Sequence, residues 1–414
     1  MGDMDKAVLL IGSLDTKGAE YAYARDLIAA RGFKTLTMDV GVLGDPPFAP
    51  DIPASETARA GGGELDALRA AGDRGAAVEI MGFGARALCA QLDGEGRIAG
   101  VLALGGGGGT SIAATAMAVL PVGVPKVMVS TMAAGDTAPY VGVKDVTMMY
   151  PVVDIAGLNR LSRRIIANAV GAVCGMAEQE PPPETGGERP LVAATMFGVT
   201  TPCVDAVRER LDAAGCETLV FHATGSGGRA MEALIAGGYV TAVADITTTE
   251  WCDEVVGGVL SAGPTRLEAA ARAGVPQVVS VGALDMVNFG PADTVPEPFR
   301  GRTLYKHNPS VTLMRTTPEE CREIARRIVE KLNAAKGPTA LLLPLRGVSM
   351  ISAPGQPFHD PDADAALFDT FRSLAGPNVE IVEVDAHIND AEFAAAAADR
   401  LLALIAAGRS ARST

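Results

Sequence analysis

Short runs of aliphatic and β-branched residues recur along the whole chain, each closed by a loop of Gly, Ser, Thr or Asp and followed by a helix-length amphipathic stretch. In the first half the spacing predicts strands at Ala7–Ile11, Lys34–Val40, Ala77–Met81, Gly100–Leu104 and Pro125–Ser130. Helices are expected at Tyr21–Arg31, Glu56–Ala71, Ala85–Leu92, Ser111–Leu120 and Leu158–Glu178. In the second half strands are expected at Leu191–Met196, Thr218–His222, Ala242–Ile246, Gln277–Gly282, Thr339–Leu343 and Val379–Val384, alternating with helices near 202–214, 228–236, 265–273, 318–334, 363–375 and 391–407. A strand that is apolar without alternation must be covered on both faces, as in a parallel sheet between two layers of helices. The expected fold is therefore α/β: two doubly wound, Rossmann-like domains with mainly parallel sheets and an interdomain cleft. The domains are placed at 1–177 and 190–414, joined by a Pro- and Gly-rich linker at 178–189.

Composition narrows the function. The 414 residues include 48 Gly and 26 Pro, yet 48% are hydrophobic, which excludes a disordered chain. A net charge of -14 argues against a nucleic-acid partner, whose backbone needs a basic face. No apolar run approaches the roughly 20 residues of a membrane span, so no membrane partner is expected. The six cysteines are scattered without a CxxC pair and read as reduced core thiols of a cytoplasmic protein.

Ligands of doubly wound sheets sit at the carboxyl ends of the strands. The densest signal there is Gly105, Gly106, Gly107, Gly108 and Gly109, followed by Thr110 and Ser111 at a helix start. Glycine lets the backbone approach a ligand, and a helix start offers free N–H groups and a positive dipole end to a phosphate. The first strand ends in Asp15, Thr16 and Lys17, of which Lys17 can neutralise a phosphate and Asp15 can hold Mg²⁺ or a ribose hydroxyl. Asp39 closes the second strand, where an acid often takes a ribose hydroxyl. Asp15 or Thr16 as a plain helix cap is the competing structural reading. Gly82-Phe83-Gly84-Ala85 and Ser130–Asp136 close two further strands in this reading.

All four histidines, His222, His307, His359 and His387, fall in the second half at loop or strand-end positions. With Glu250 and Asp285, the residues His222, His359 and His387 are candidate acid–base groups. Arg229, Asn288, Arg315 and Arg346 are candidates for binding a small anionic substrate. No HxxxH, HxH or HExxH spacing occurs, so a metal site is left open. Cys203 sits at a helix start, which lowers a thiol pKa, against a structural role as a core thiol.

The stretches GSLDTKGAE, LGGGGGTSIAATAM, VVDIAGLNRLS, MFGVTTPCVDAV, FHATGSGGRAME, DITTTE, SVGALDMVNFGP and HINDAEF resemble the UPF0261, or Tm-1-like ATP-binding, family over essentially the whole chain. The resemblance implies two Rossmann-like subdomains, ATP with Mg²⁺ in the first, and a homodimer. The family signature maps onto Asp15, Thr16, Lys17, Gly105–Gly109, Thr110 and Ser111. Three readings stay open: an ATP-binding enzyme acting on a small anionic substrate, an ATP-stabilised dimeric regulatory module without turnover, and a metal-dependent hydrolase or lyase.

Overall fold

A computed structural model describes residues 6–179 and 189–412, so nearly all of the expected linker, 180–188, lies outside the described residues. The chain divides into two compact units, Met1–Pro183 and Glu184–Thr414.

In the first unit the elements run β1 Ala7–Gly12, α1 Leu14–Ala30, β2 Lys34–Asp39, α2 Ala54–Ala60, α3 Leu65–Ala71, α4 Arg74–Gly94, β3 Ile98–Gly105, α5 Gly107–Met117, β4 Lys126–Ser130, α6 Ala138–Val141, β5 Thr147–Met149 and α7 Arg160–Ala177. The sheet order is β2-β1-β3-β4-β5, and every pairing is parallel. Both faces are buried. Val8, Leu10, Leu102 and Leu104 pack with Tyr21 and Ile28 of α1 and with Ile166 and Val170 of α7. Leu9, Ile11, Val101 and Ala103 pack with Met81, Ala85 and Cys89 of α4 and with Ile112 and Ala116 of α5.

One expected strand is absent from this sheet. Ala77–Met81 and Ala85–Leu92 are a single helix, α4, so Gly82-Phe83-Gly84-Ala85 closes no strand. Its buried residues Ala77, Met81, Ala85, Cys89 and Leu92 repeat at three- and four-residue spacing, and the Asp73 carboxylate caps the helix through the amides of Gly75 and Ala76. The expected helix Glu56–Ala71 is divided into α2 and α3 at Gly61–Gly63; Gly62 has φ +83°.

The second unit runs β6 Leu191–Met196, α8 Thr201–Ala213, β7 Glu217–His222, α9 Ser226–Ala236, β8 Ala242–Thr247, α10 Glu250–Val256, α11 Glu268–Ala273, β9 Gln277–Gly282, β10 Met286–Phe289, β11 Leu304–Asn308, β12 Val311–Arg315, α12 Pro318–Asn333, β13 Thr339–Pro344, α13 Pro361–Leu374, β14 Val379–Val384 and α14 Ala391–Arg412. Its main sheet, β14-β13-β9-β8-β6-β7, is parallel throughout. A small antiparallel sheet, β10-β12-β11, is inserted after β9; the sequence reading has no strands there.

Candidate functional site

In the first unit the chain winds away from β1 toward β2 on one side and toward β3 on the other. The loops after β1 and β3 therefore diverge, and a crevice opens at their carboxyl ends. A cavity of about 590 Å³ lies there, within the usual range of small-molecule sites. Its polar side is formed by Gly105–Gly109, Asp15, Thr16 and Lys17, and its apolar side includes Val40, Leu68, Met81 and Ile112.

The glycine run enters α5 directly. A Cβ on Gly105 would come within 3.2 Å of the Gly109 Cα, so that position is tight. Gly106 to Gly109 are different: a Cβ there would meet nothing closer than 3.5 Å, and none has positive φ. Neither packing nor backbone conformation requires glycine at these four positions. Helical glycine nonetheless costs roughly 1 kcal/mol relative to alanine. What the missing side chains do is leave the helix start open to the cavity. The amides of Gly107, Gly108 and Gly109 have no acceptor among the described residues, and the first α5 bond is from Thr110 N–H to the Gly106 carbonyl.

The other expected ligand groups divide into those facing the cavity and those turned away. Asp15 faces it: Oδ2 accepts from the amides of Leu43 at 2.7 Å and Gly44 at 3.2 Å, while Oδ1 is buried without a partner. Lys17 lines the cavity, but its ammonium donates to the Ile155 carbonyl from a kinked turn of α1. The Thr16 hydroxyl donates to the Ser13 carbonyl at 3.3 Å. Asp39 does not line the cavity. Its Oδ1 accepts from the amides of Leu14 at 3.0 Å and Gly41 at 2.8 Å, and burial raises its pKa. The Thr110 hydroxyl pairs with that of Ser130 at 2.6 Å, and Ser111 donates to the Gly107 carbonyl at 3.0 Å.

Two cationic lining residues were missed from sequence: Arg69, which donates to the Val42 and Gly44 carbonyls, and Arg74. Arg74 opens α4, and its Nη2 lies 3.7 Å from where a Cβ on Gly108 would stand. It has no hydrogen-bond or ion-pair partner among the described residues. Reading 77–81 as a strand hid it, because only as the first residue of a helix does it face the glycine run.

The second-unit candidates are only partly brought together: Asp285, Arg315, His359 and His387 all contact the segment 349–360, while Glu250 lies under the Gly225–Gly228 turn that follows His222. His222 is exposed and edge-on to Phe197. His387 Nδ1 accepts the Asn389 amide, so Nε2–H donates to the Ser349 carbonyl at 2.8 Å and ties two loops together. His359 Nδ1 lies 3.2 Å from the Ser352 carbonyl, and His307 is exposed beside Tyr305.

Glu250 is 1% exposed; it accepts from the amides of Gly225 at 2.6 Å and Gly228 at 3.0 Å and pairs with buried Arg266 at 2.7 Å. Asp285 accepts from the Ser349 hydroxyl at 2.7 Å, and burial pushes it up to about 6. Arg315 is paired with Asp364 at 2.6 Å and donates to the Phe358 carbonyl at 2.8 Å. Asn288 pairs with Asp253, Arg346 with Asp385 on the surface, and Arg229 donates to the Ser261 carbonyl. Cys203 is fully buried, which pushes its thiol up to about 12 and makes it a core residue. Among the described residues no group of three or more His, Cys, Asp or Glu side chains is placed to hold a metal ion.

Fold and site thus define a doubly wound α/β protein with a glycine-lined cavity at the switch point of its first unit. The chain belongs to the UPF0261 family. The N-terminal domain of this uncharacterised protein family matches residues 6–182, and its C-terminal domain matches residues 189–405. A UPF0261 protein of Clostridium tetani is 55% identical over 96% of this chain and 99% of its own length. A UPF0261 protein of Rhizobium meliloti is 50% identical over 95% of this chain and 97% of its own. The ToMV resistance protein Tm-1 of Solanum lycopersicum is 46% identical over 80% of this chain but only 44% of its own length. A ketoreductase from a modular polyketide synthase aligns at 15% identity and a TM-score of 0.21 over 97% of this chain and 88% of its own, too low to bear on the argument.

Proposed function

We propose that the first unit binds ATP in this cavity, with the phosphates at the start of α5. The observation that carries the reading is the open helix start: three unpaired amides behind glycines that neither packing nor φ requires. Asp39 does not line the cavity and spends Oδ1 on two amides, so the ribose-reading acid of a dinucleotide-binding fold is not presented to the ligand. Asp15 suits a Mg²⁺ ion carried in with the phosphates as a carboxylate of the cavity lining, whose Oδ2 now accepts the Leu43 and Gly44 amides. Such an ion would offset phosphate charge. The six buried, free cysteines fit the reducing cytoplasm. Whether the chain works as a homodimer is part of the same reading and is checked by its solution mass with and without ATP.

Calorimetric titration with ATP–Mg²⁺, and with NAD as comparison, tests the proposal. Saturable binding of ATP with weak or no NAD binding is expected; a wild-type chain that ignores ATP would sink it. The second unit's polar residues mainly hold loops, which favours binding over acid–base chemistry at the expected residues.

A further inference from the structure

We infer that Arg74 is the side chain that neutralises the anionic group of the cavity's ligand, the role the sequence assigns to Lys17. The inference rests on the cavity being the ATP site and adds the cation that selects the phosphates. Three positive side chains line the cavity, and their circumstances differ: Arg69 already donates to the Val42 and Gly44 carbonyls and pairs with Asp45. Lys17 is already committed to the Ile155 carbonyl, so it fastens α1 to the segment before α7. Arg74 is committed to nothing among the described residues. Its guanidinium stands beside Gly108, next to amides that also lack acceptors.

A guanidinium and a helix start directed at one volume form a combined anion seat: the amides fix position, and the planar fork takes two oxygens of one phosphate. The cavity itself, about 590 Å³ with an apolar side that includes Val40, Leu68, Met81 and Ile112, points independently to an organic occupant, so the anion is carried on an apolar body. Arg74 is exposed, so it is free to swing onto the ligand, and its removal leaves no buried group unsatisfied.

The test compares wild type, Arg74→Ala, Arg74→Lys and Lys17→Ala for binding of ATP–Mg²⁺, pyrophosphate and adenosine by titration calorimetry, with melting temperatures measured alongside. Arg74→Ala is expected to weaken ATP and pyrophosphate by about 10- to 100-fold at unchanged melting temperature, and Arg74→Lys by less. Adenosine, which has no phosphate, should be indifferent to Arg74. Lys17→Ala should lower the melting temperature and weaken ATP by a smaller factor than Arg74→Ala. Wild-type affinity of Arg74→Ala for both anions, or an equal loss of adenosine, would overturn the assignment while leaving the ATP reading intact. Arg74-dependent pyrophosphate binding in a chain that ignores ATP would do the reverse. A wild type that binds neither anion would overturn both.

Discussion

Tyr21 holds the point where the first sheet changes winding direction. Its hydroxyl lies 2.5 Å from the Ile11 carbonyl and 2.9 Å from that of Leu104, and it accepts the Leu104 amide at 2.7 Å. The last turns of β1 and β3 are thus pinned through one oxygen just where their loops part. Gly12 makes room for it, since a Cβ there would fall 2.0 Å from the Tyr21 ring. Tyr21→Phe removes the oxygen and leaves a buried amide without its acceptor. We expect a loss of about 1–3 kcal/mol in urea unfolding. A loss near zero would mean that water replaces the hydroxyl. At this scale the sequence is a poor guide. It places Asp15, Lys17 and Asp39 at strand ends; Asp39 does end β2, while Asp15 and Lys17 fall at the start of α1, and the direction each takes is not readable. Asp39 turns inward because the Leu14 and Gly41 amides need an acceptor, and Lys17 is taken up by a carbonyl 138 positions away. Nothing local in the sequence encodes either bond.

Among elements, α5 is the clearest case of a helix built against its own propensity. Its first three residues are glycines, and its N-cap Gly106 makes no side-chain bond. Alanine at 107 or 108 would meet no closer neighbour than 3.5 Å and would gain roughly 0.5–1 kcal/mol by restricting the unfolded chain. Gly107→Ala and Gly108→Ala are therefore expected to melt higher than wild type and to bind ATP more weakly, because the new methyl stands where the phosphate must approach. Higher stability with unchanged ATP affinity would separate the glycines from the ligand. This element was legible from sequence because a glycine run between an apolar strand and a helix carries its own signal. Helix α4 was not. Residues 77–81 span barely one helical turn, and an apolar run so short has no readable period. Only the longer stripe from Ala77 to Leu92 and the Asp73 cap decide it, and with them the position of Arg74.

Across the whole molecule, the two parallel sheets were legible because a strand buried on both faces leaves an unbroken apolar run. The β10-β12-β11 sheet was not, since its outer strand β11 is largely exposed and its residues read as a polar loop. The fold's internal charge arrangement was likewise hidden, and it governs the response to pH. The second unit buries acids around few cations: Arg266 faces Asp245, Glu250 and Glu232, and Arg315 pairs with Asp364 near Asp285. Burial pushes Asp253 up to about 7 and Asp285 to about 6, and it also raises Glu232, Asp364 and, in the first unit, Asp39. For an acid whose pKa is higher folded than unfolded, the folded state binds the proton more tightly. The stability gained is complete below the unfolded value near 4 and is lost as pH rises through the folded value. The opposite group, Glu323, is pulled to about 2 by Arg326 and Arg327 on the surface, and its contribution is lost only as pH falls below about 4. The melting temperature should therefore decline from pH 5.5 to pH 8. Asp253→Asn cannot ionise and retains an oxygen for the Asn288 amide, so its decline should be shallower between pH 6 and 8. A wild-type melting temperature that instead rises over this interval would show that these acids stay ionised in the folded chain, with water or local opening relieving their burial.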